Sequence, residues 1–238
     1  MTNAMTSSDA RVRDRLAVAL DVDDLDEACA RAAAVAPWFG VAKIGLELFT
    51  AAGPEAIARL RDLGFAVFCD LKLHDIPTTV ERAARVLGRY GATYVNFHAA
   101  GGVEMMQGAV AGLAEGASRA GLPAPVPLAV TVLTSDADTS AFDARLHAAI
   151  DAGCGGVVCS LFEVETVKRA RPDFVTAVPG SRLAGDDRND QRRFGTPDEV
   201  ARRGGDVIIL GRAVTAADDP VRVAQHVYES VQRAITEV

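Results

Sequence analysis

The sequence predicts a single (β/α)8 barrel, the TIM-barrel class of α/β fold. The 238-residue chain contains eight short runs rich in Val, Ile and Leu, and a helix-like segment follows each run. These runs are apolar throughout rather than alternating, which is typical of strands buried on both faces. No linker or change of composition interrupts the repeats, so residues 15–238 are expected to form one domain.

The predicted strands are spaced so that each gap has room for a helix. They cover 15–20, 41–46, 66–71, 93–97, 126–133, 155–159, 174–178 and 206–210. An open doubly wound sheet is the alternative, but such folds usually have fewer units and a glycine-rich first turn. The first strand leads instead into DVDDLDE (21–27), which contains no glycine and suits no dinucleotide phosphate.

Helical patterns fill the gaps, and some have recognisable ends. The predicted helices cover 24–36, 53–63, 77–89, 102–115, 141–152, 163–170, 197–203 and 219–236. The first begins at Asp24, a residue type that caps helix N-termini. The second has Pro54 in its first turn and Gly64 just beyond its end, the positions where these residues favour helix boundaries.

Composition and charge exclude several classes of protein. The chain is 49% hydrophobic and 24% charged, as in globular domains rather than disordered or fibrous proteins. A net charge of -7 argues against nucleic-acid binding, and no apolar run approaches the roughly 18 residues of a membrane span. Residues 1–14 are polar, are expected to be flexible, and lack the pattern of a secretory signal.

The cysteines and histidines do not predict a metal site. Cys29, Cys69, Cys154 and Cys159 match no zinc or CxxC spacing, and the four histidines include no HExxH pair. Three of the cysteines lie in apolar or small-residue stretches, which indicates reduced thiols in the core of a cytoplasmic enzyme.

Polar residues follow nearly every predicted strand, at the end where barrel enzymes carry their active sites. The densest group is DLKLHD, from Asp70 to Asp75. Side chains at i and i+2 of a strand point to the same face, so Asp70 and Lys72 are expected to meet at the barrel mouth. Lys43, on the neighbouring strand, would extend this cluster. A purely structural ion-pair network is the alternative interpretation.

A second group of residues suits an anion. The last strand runs into Gly211 and Arg212, and the loops after strands 7 and 8 of barrels often bind phosphate. Glycine lets the backbone approach closely, and arginine offers a rigid fork of donors. Segment 181–195 has seven charged residues among 15 and no periodicity, which indicates a lid over the phosphate. The alternatives are a surface arginine at a turn and a solvated connection.

Several segments resemble the orotidine 5'-phosphate decarboxylase family, the clearest being FCDLKLHDIPTTV (68–80). The others are VALDVDD (18–24), KIGLELFT (43–50), VNFHAAGG (95–102), VTVLTS (130–135), GVVCS (156–160), QRR (191–193) and ILGRAVT (209–215). They occur in the family's order and at its spacing. The resemblance extends from about residue 15 to the last residue of the sequence.

This resemblance implies a homodimer, without metal or cofactor, that converts orotidine 5'-phosphate to UMP and CO2 in the last step of de novo UMP synthesis. It assigns a charged tetrad to Lys43, Asp70, Lys72 and Asp75. Asp75, Ile76 and Thr79 would reach the site of the partner subunit. The remaining implied contacts are Asp21 and Lys43 with the ribose, Thr134 with the pyrimidine, and Arg182, Gln191, Gly211 and Arg212 with the phosphate region, with Pro179 also in the site.

One segment departs from the family's pattern. The family usually reads TPGIRP where this chain has VPGSRL (178–183). Pro179, Gly180 and Arg182 are kept, but the second proline is replaced by Leu183. We expect this change to loosen the start of the lid and to leave the reaction unchanged.

The implied reaction requires a group that stabilises negative charge at C6 and donates a proton there. Loss of CO2 from C6 leaves a carbanion with little resonance stabilisation, so the site must stabilise charge that develops only in the transition state. Lys72 is flanked by two carboxylates that favour its ammonium form, and this ammonium can pair with the carbanion and protonate it. Asp70 would either repel the substrate carboxylate or orient Lys72, and both roles fit the sequence.

Three other functions fit parts of the pattern. Sugar-phosphate decarboxylases and hexulose-phosphate synthases share a similar Asp-x-Lys-x-x-Asp pattern and use Mg2+, but IPTT (76–79) and Gln191 favour the orotidine interpretation. A Schiff-base aldolase would need a lysine of lowered pKa, for which Lys72 between two carboxylates is the wrong environment. A non-catalytic nucleotide-binding protein would keep Arg212 but has no need of the charged cluster.

Overall fold

The structure, a computed structural model, describes residues 12–181 and 195–236. Eight parallel strands close into a barrel in chain order, with the eighth paired to the first, which confirms the predicted (β/α)8 fold. The strands are β1 (Leu16–Leu20), β2 (Val41–Ile44), β3 (Ala66–Leu73), β4 (Tyr94–His98), β5 (Val126–Val130), β6 (Gly156–Val158), β7 (Val175–Val178) and β8 (Val207–Leu210).

Helices surround the barrel in the gaps that the sequence left for them. They are α1 (Leu25–Val35), α2 (Leu46–Ala52), α3 (Glu55–Asp62), α4 (Pro77–Arg89), α5 (Gly102–Ala120), α6 (Phe142–Asp151), α7 (Val164–Ala170), α8 (Pro197–Arg202), α9 (Arg212–Thr215) and α10 (Pro220–Thr236). The expected cap on α1 is present, because the Asp24 carboxylate accepts the N–H of Glu27 at 2.7 Å. Among the described residues, no helix is long and apolar enough to cross a membrane.

The main difference from the sequence prediction lies after β2. The apolar run 41–46 was expected to be all strand, but the strand ends at Ile44 and α2 begins at Leu46. The predicted helix 53–63 corresponds to α3, which follows the turn at Gly53 and Pro54. Similarly, β5 ends at Val130, before the predicted limit of 133, and the last residues of that run enter the loop above the barrel.

The N-terminal segment predicted to be flexible packs on the barrel where it is described. Val12 is buried in the core. The Arg13 side chain donates to the carbonyl of Ala36 at 2.9 Å, and its own carbonyl accepts the N–H of Gly40 at 2.8 Å. The expected flexibility of residues 1–14 stays a prediction, and residues 1–11 lie outside the described residues.

Two apolar layers enclose the strands, as their unbroken hydrophobic runs predict. All five residues of β1 are buried. Ala17 and Ala19 belong to a small cluster inside the barrel, together with Phe68, whereas Val18 and Leu20 belong to the larger cluster beneath the helices. Successive side chains of a strand therefore serve opposite layers, and the polar residues that end the strands lie above both.

Helices α4 and α5 pack with their backbones unusually close, and glycines make this possible. Gly108, Gly112 and Gly116 recur every fourth residue of α5, so they line one side of that helix. An added Cβ would lie 3.0, 2.2 and 2.0 Å from backbone oxygens of α4 at the three positions in turn. We call these three residues the glycine stripe. It fixes the position of α4, whose first residues follow directly on Asp75 and Ile76.

The glycine stripe gives a stability prediction with an unusual sign. A glycine-to-alanine change within a helix ordinarily stabilises it by up to about 1 kcal/mol. Gly112→Ala should instead lower the free energy of unfolding by about 1–3 kcal/mol, because its methyl group would overlap the carbonyl of Glu81. Guanidinium denaturation would measure the change.

The matched control is Ser118→Ala, an exposed position of the same helix. This control should stay within about 0.5 kcal/mol of the unchanged protein. A Gly112→Ala protein as stable as the control would show that α4 and α5 can separate without cost.

Candidate active site

A cavity of about 470 Å3 opens at the carboxyl ends of the strands, where the sequence placed the site. Its walls come from β1, β2, β3, β5, β6 and β8 and from the segments that follow β1, β5, β7 and β8. Predicted site residues that line it are Asp21, Lys43, Asp70, Lys72, Thr134, Pro179, Gly211 and Arg212. The predicted barrel mouth is therefore a real concave site, and it collects residues that are far apart in sequence.

Four charged side chains alternate in sign along one wall of this cavity. Lys43 Nζ lies 3.1 Å from Asp21 Oδ1 and 3.5 Å from Asp70 Oδ2. Lys72 Nζ lies 2.6 Å from Asp70 Oδ1. The expectation that Asp70 and Lys72 meet on one face is confirmed, and Lys43 joins them as predicted. We call these four residues the charged wall.

The strand register explains how Lys43 reaches two carboxylates. Lys43 pairs with Ala19 of β1 and with Phe68 of β3, so these three residues form one layer of the barrel. Asp21 and Asp70 stand two residues further toward the mouth. The long lysine stem spans the rise between the two layers and remains buried, with 6% of the residue exposed. Gly45 leaves room for the contact, since a Cβ there would lie 2.7 Å from Asp21 Oδ1.

The charges around Asp70 keep it ionised. Burial alone would raise its pKa, but the positive charges of Lys43 and Lys72 and the hydrogen bonds from Lys72 and Asn96 hold this pKa below its ordinary value. The carboxylate is therefore negative at neutral pH, although only 15% of its side chain is exposed. The cavity accordingly presents a fixed negative charge between two positive ones.

Strand β3 is irregular where it carries these residues. Its register with β4 shifts between Cys69 and Leu73. Within this interval Lys72 has a φ of 51°, and in the described part of the chain it is the only non-glycine residue with a positive φ. Left-handed backbone is uncommon for a lysine and is often found at functional sites.

Asn96 belongs to this arrangement, although the sequence analysis gave it no role. Its Nδ2 donates to Asp70 Oδ1 at 2.6 Å, and its Oδ1 accepts the N–H of Lys72 at 2.7 Å. The residue is fully buried in the middle of β4. The signal that could have revealed it is a lone amide within the apolar run 93–97, because buried polar groups need partners.

Another part of the cavity wall is formed by the segments that follow β7 and β8, and β8 is paired with β1. Gly211 and Arg212 line it together with Pro179 and Gly180. Gly180 has a φ of 81°, which glycine adopts without strain, so the chain can turn sharply at the cavity edge. At Gly211 a Cβ would come no closer than 3.6 Å to Ala19, so the absent side chain leaves backbone open to the cavity.

Three predicted site residues do not line the cavity of their own chain. Asp75, Ile76 and Thr79 are exposed, and 66% of Ile76 is accessible. They lie at the start of α4, and the Asp75 carboxylate accepts the N–H of Ile76 at 2.7 Å. Their expected role in the site of a partner subunit stays a prediction.

The predicted lid falls mostly outside the described residues, and with it the predicted contacts of Arg182 and Gln191. Ser181, at its start, lines the cavity and is buried. Within the described chain its hydroxyl has no hydrogen-bond partner. This serine stands where the family pattern quoted above has isoleucine, so the departure places a polar group at the cavity wall.

The cysteines are free thiols, and Cys69, Cys154 and Cys159 are buried, as expected for core positions. Burial raises the pKa of Cys154 to about 12, so this thiol stays neutral. No three of the described histidine, cysteine, aspartate and glutamate side chains are grouped so as to hold a metal ion.

Comparison with known proteins identifies the family. The sequence model of the "Orotidine 5'-phosphate decarboxylase / HUMPS family" matches residues 14–227. A Moorella thermoacetica protein named orotidine 5'-phosphate decarboxylase is 42% identical over 234 residues, which cover 92% of this chain and 93% of that protein. A protein of the same name from Nitratidesulfovibrio vulgaris is 44% identical over 247 residues, covering 92% and 99% of the two chains.

A solved structure agrees with these sequence matches. The crystal structure of orotidine 5'-phosphate decarboxylase from Lactobacillus acidophilus superposes with a TM-score of 0.76 at 32% identity. The match covers 93% of this chain and 99% of that one. The likeness therefore extends over nearly the whole of both chains. On both sequence and structure, this chain belongs to the orotidine 5'-phosphate decarboxylase / HUMPS family.

Proposed function

We propose that this enzyme, a carboxy-lyase by family, converts orotidine 5'-phosphate to UMP and CO2 in pyrimidine biosynthesis. The observation that carries the proposal is the charged wall of Asp21, Lys43, Asp70 and Lys72 inside the cavity. Relatives that bear the name of this activity match most of the chain at 42% identity or more. We place the reaction in the cytoplasm, as the reduced cysteines led us to expect.

In the proposed reaction Lys72 acts at C6 of the pyrimidine. The bond between C6 and the carboxylate breaks, its electron pair stays on C6, and CO2 leaves. The ammonium group of Lys72 stabilises the developing charge and donates a proton to C6, and solvent then returns a proton to the amine. The chemistry uses side chains of the protein alone, with neither metal nor cofactor.

Asp70 orients Lys72 in this proposal. Two observations support orientation over simple repulsion of the substrate carboxylate. Asp70 Oδ1 lies 2.6 Å from Lys72 Nζ, within hydrogen-bond distance, and Asp70 Oδ2 faces Lys43. A carboxylate held by two lysines has little freedom, so it can fix the ammonium group before substrate arrives.

The other cavity residues bind the rest of the nucleotide. Asp21 and Lys43 suit ribose hydroxyls, because one accepts and the other donates hydrogen bonds. Thr134 suits the pyrimidine edge, and Pro179 contributes an apolar surface beside it. Gly211 and Arg212 suit the phosphate, and Arg182 and Gln191 of the predicted lid would complete that end. Binding of a remote phosphate supplies energy for closing the site around the reacting carbon.

We further propose a homodimer in which Asp75, Ile76 and Thr79 enter the site of the partner subunit. The exposure of these residues and their absence from the cavity of their own chain support this arrangement. The partner's carboxylate would flank the reacting ammonium group on the side away from Asp70, and complete the tetrad.

The first test is the ultraviolet absorbance of orotidine 5'-phosphate mixed with EDTA-treated enzyme. We expect a steady change to the spectrum of UMP, because the proposed chemistry needs no metal. Activity that appears only with Mg2+ and a sugar phosphate would instead favour an enediolate mechanism. Nucleotide binding without any turnover would identify a binding protein.

Lys72→Ala should lower kcat by at least about a thousand-fold, because it removes both the charge and the proton donor. The matched control is Lys168→Ala. Lys168 forms an ion pair of the same 2.6 Å length with Asp206, away from the cavity. This control should keep kcat within about two-fold of the unchanged enzyme. A Lys72→Ala enzyme with native circular dichroism and near-normal turnover would contradict the proposed mechanism.

A shared site can be tested by complementation. Lys72→Ala and Asp75→Asn homodimers should each be inactive. Co-expression with two different tags gives mixed dimers in which one site carries both changes and the other carries neither. Random pairing should therefore restore about a quarter of the activity of the unchanged enzyme. Purified mixed dimers that remain inactive would place Asp75 in the site of its own chain.

A further inference from the structure

Asn96 makes two hydrogen bonds that together define the orientation of its amide. The Nδ2 group donates to Asp70 Oδ1 at 2.6 Å, and a carboxylate oxygen can bond only to a donor. The Oδ1 atom accepts the N–H of Lys72 at 2.7 Å, where only an acceptor is useful. Since the side chain is fully buried, neither bond competes with water. One amide thus contacts the carboxylate of Asp70 and the backbone of Lys72, two neighbouring members of the charged wall.

The hydrogen bond from the N–H of Lys72 to Asn96 lies where the regular pairing between β3 and β4 is interrupted. The pairing of β3 with β4 is interrupted between Cys69 and Leu73, and the N–H of Lys72 is directed to a side chain instead of a carbonyl. The φ of Lys72 is 51° at the same residue. Such a conformation persists only where its surroundings hold it. The Asn96 side chain is the hydrogen-bond acceptor that holds it.

We propose that Asn96 is a positioning residue for Lys72. It keeps the lysine backbone in the left-handed conformation and keeps the Asp70 carboxylate turned toward the lysine ammonium. It does not line the cavity, so it acts through these two residues and not on the substrate. The consequence for turnover rests on the proposed function, but the two hydrogen bonds do not.

Replacement of Asn96 by aspartate separates its two bonds chemically. An aspartate has the same shape, and either oxygen can accept the N–H of Lys72. When ionised it cannot donate to Asp70, and it brings a second negative charge against that carboxylate. When protonated its O–H can donate as the amide does. The Asn96→Asp enzyme should therefore work at low pH and fail as the pH rises through the pKa of the new carboxyl pair.

Other titratable and charged groups also surround position 96. Asp70 and Lys72 face it from β3, with Lys43 behind Asp70 on β2, and β5 carries no titratable residue. His98 lies further along β4 with the His74 ring 5.4 Å away, and Arg145 also acts on it. Burial lowers the pKa of His98, and His74, Lys72 and Arg145 add to this effect. All these groups are present in the unchanged enzyme and in the Asn96→Asp enzyme. A difference between the two pH profiles therefore arises from the residue at position 96.

The experiment compares pH profiles of kcat and KM for the unchanged enzyme, Asn96→Asp and Asn96→Leu. At neutral pH kcat should fall by on the order of 10- to 100-fold in both variants, with KM changed less than about three-fold. Only Asn96→Asp should recover kcat as the pH is lowered. The control is Thr176→Val on β7, which removes the two hydrogen bonds that a buried hydroxyl makes with Asp206, one donated and one accepted, and should leave the profile unchanged.

A profile of Asn96→Asp parallel to that of the unchanged enzyme would overturn the proposal, as would a kcat that both variants leave intact. If the variants fail to fold, hydrogen exchange of the unchanged protein tests whether the N–H of Lys72 is bonded to Asn96. The amide proton of Lys72 should exchange at least about a hundred-fold more slowly than an unprotected amide. Exchange at the unprotected rate would rule out the bond to Asn96. An enzyme inactive on orotidine 5'-phosphate would refute the proposed function while this exchange measurement still tested Asn96.

Discussion

The charged wall depends on a single buried carboxylate. Within the described chain, Asp70 is the carboxylate that contacts both lysines, and Lys72 depends on it most, since Lys43 also contacts Asp21. Its own negative charge is tolerable only because those lysines and Asn96 surround it. Removal of Asp70 would therefore leave Lys72 without its carboxylate partner, and loss of both lysines would leave Asp70 as a buried and uncompensated charge. The site is a mutually dependent set and not a collection of independent contacts.

The barrel makes such a set possible by aligning neighbouring strands. Register between β1, β2 and β3 sets Asp21, Lys43 and Asp70 within one or two layers of each other. The segments after β7 and β8 add glycine and arginine to the cavity wall, and these residues suit an anion. A nucleotide that spans the cavity would meet the charged wall and this arginine. In the proposed reaction its reacting carbon would lie beside positive charge that the protein has already arranged, so little reorganisation would be needed.

The sequence predicted the barrel, its eight strands and most of the polar side chains that line the cavity, because apolar runs and strand-end polar residues are local patterns. It could not predict that Lys72 adopts a left-handed backbone, since lysine itself has no such preference. It gave Asn96 no role, because the partners of that residue come from another strand. Helix α2 was missed because its first residue ends the apolar run predicted as strand. Each of these features depends on which residues are neighbours in space, and a single sequence does not show this.

The glycine stripe has a mechanical consequence. Side chains at the contact between two packed helices usually set the distance between their backbones. At the glycine stripe α5 has no such side chains, so its backbone meets the backbone of α4 directly. The start of α4, with Asp75 and Ile76 just before it, is therefore held in a fixed position relative to the rest of the barrel. In a dimer of the proposed kind, the packing of α4 on α5 within each subunit would fix where Asp75 and Ile76 lie in the site of the other subunit. The geometry of the shared site would then depend on helix packing inside each subunit as well as on the interface.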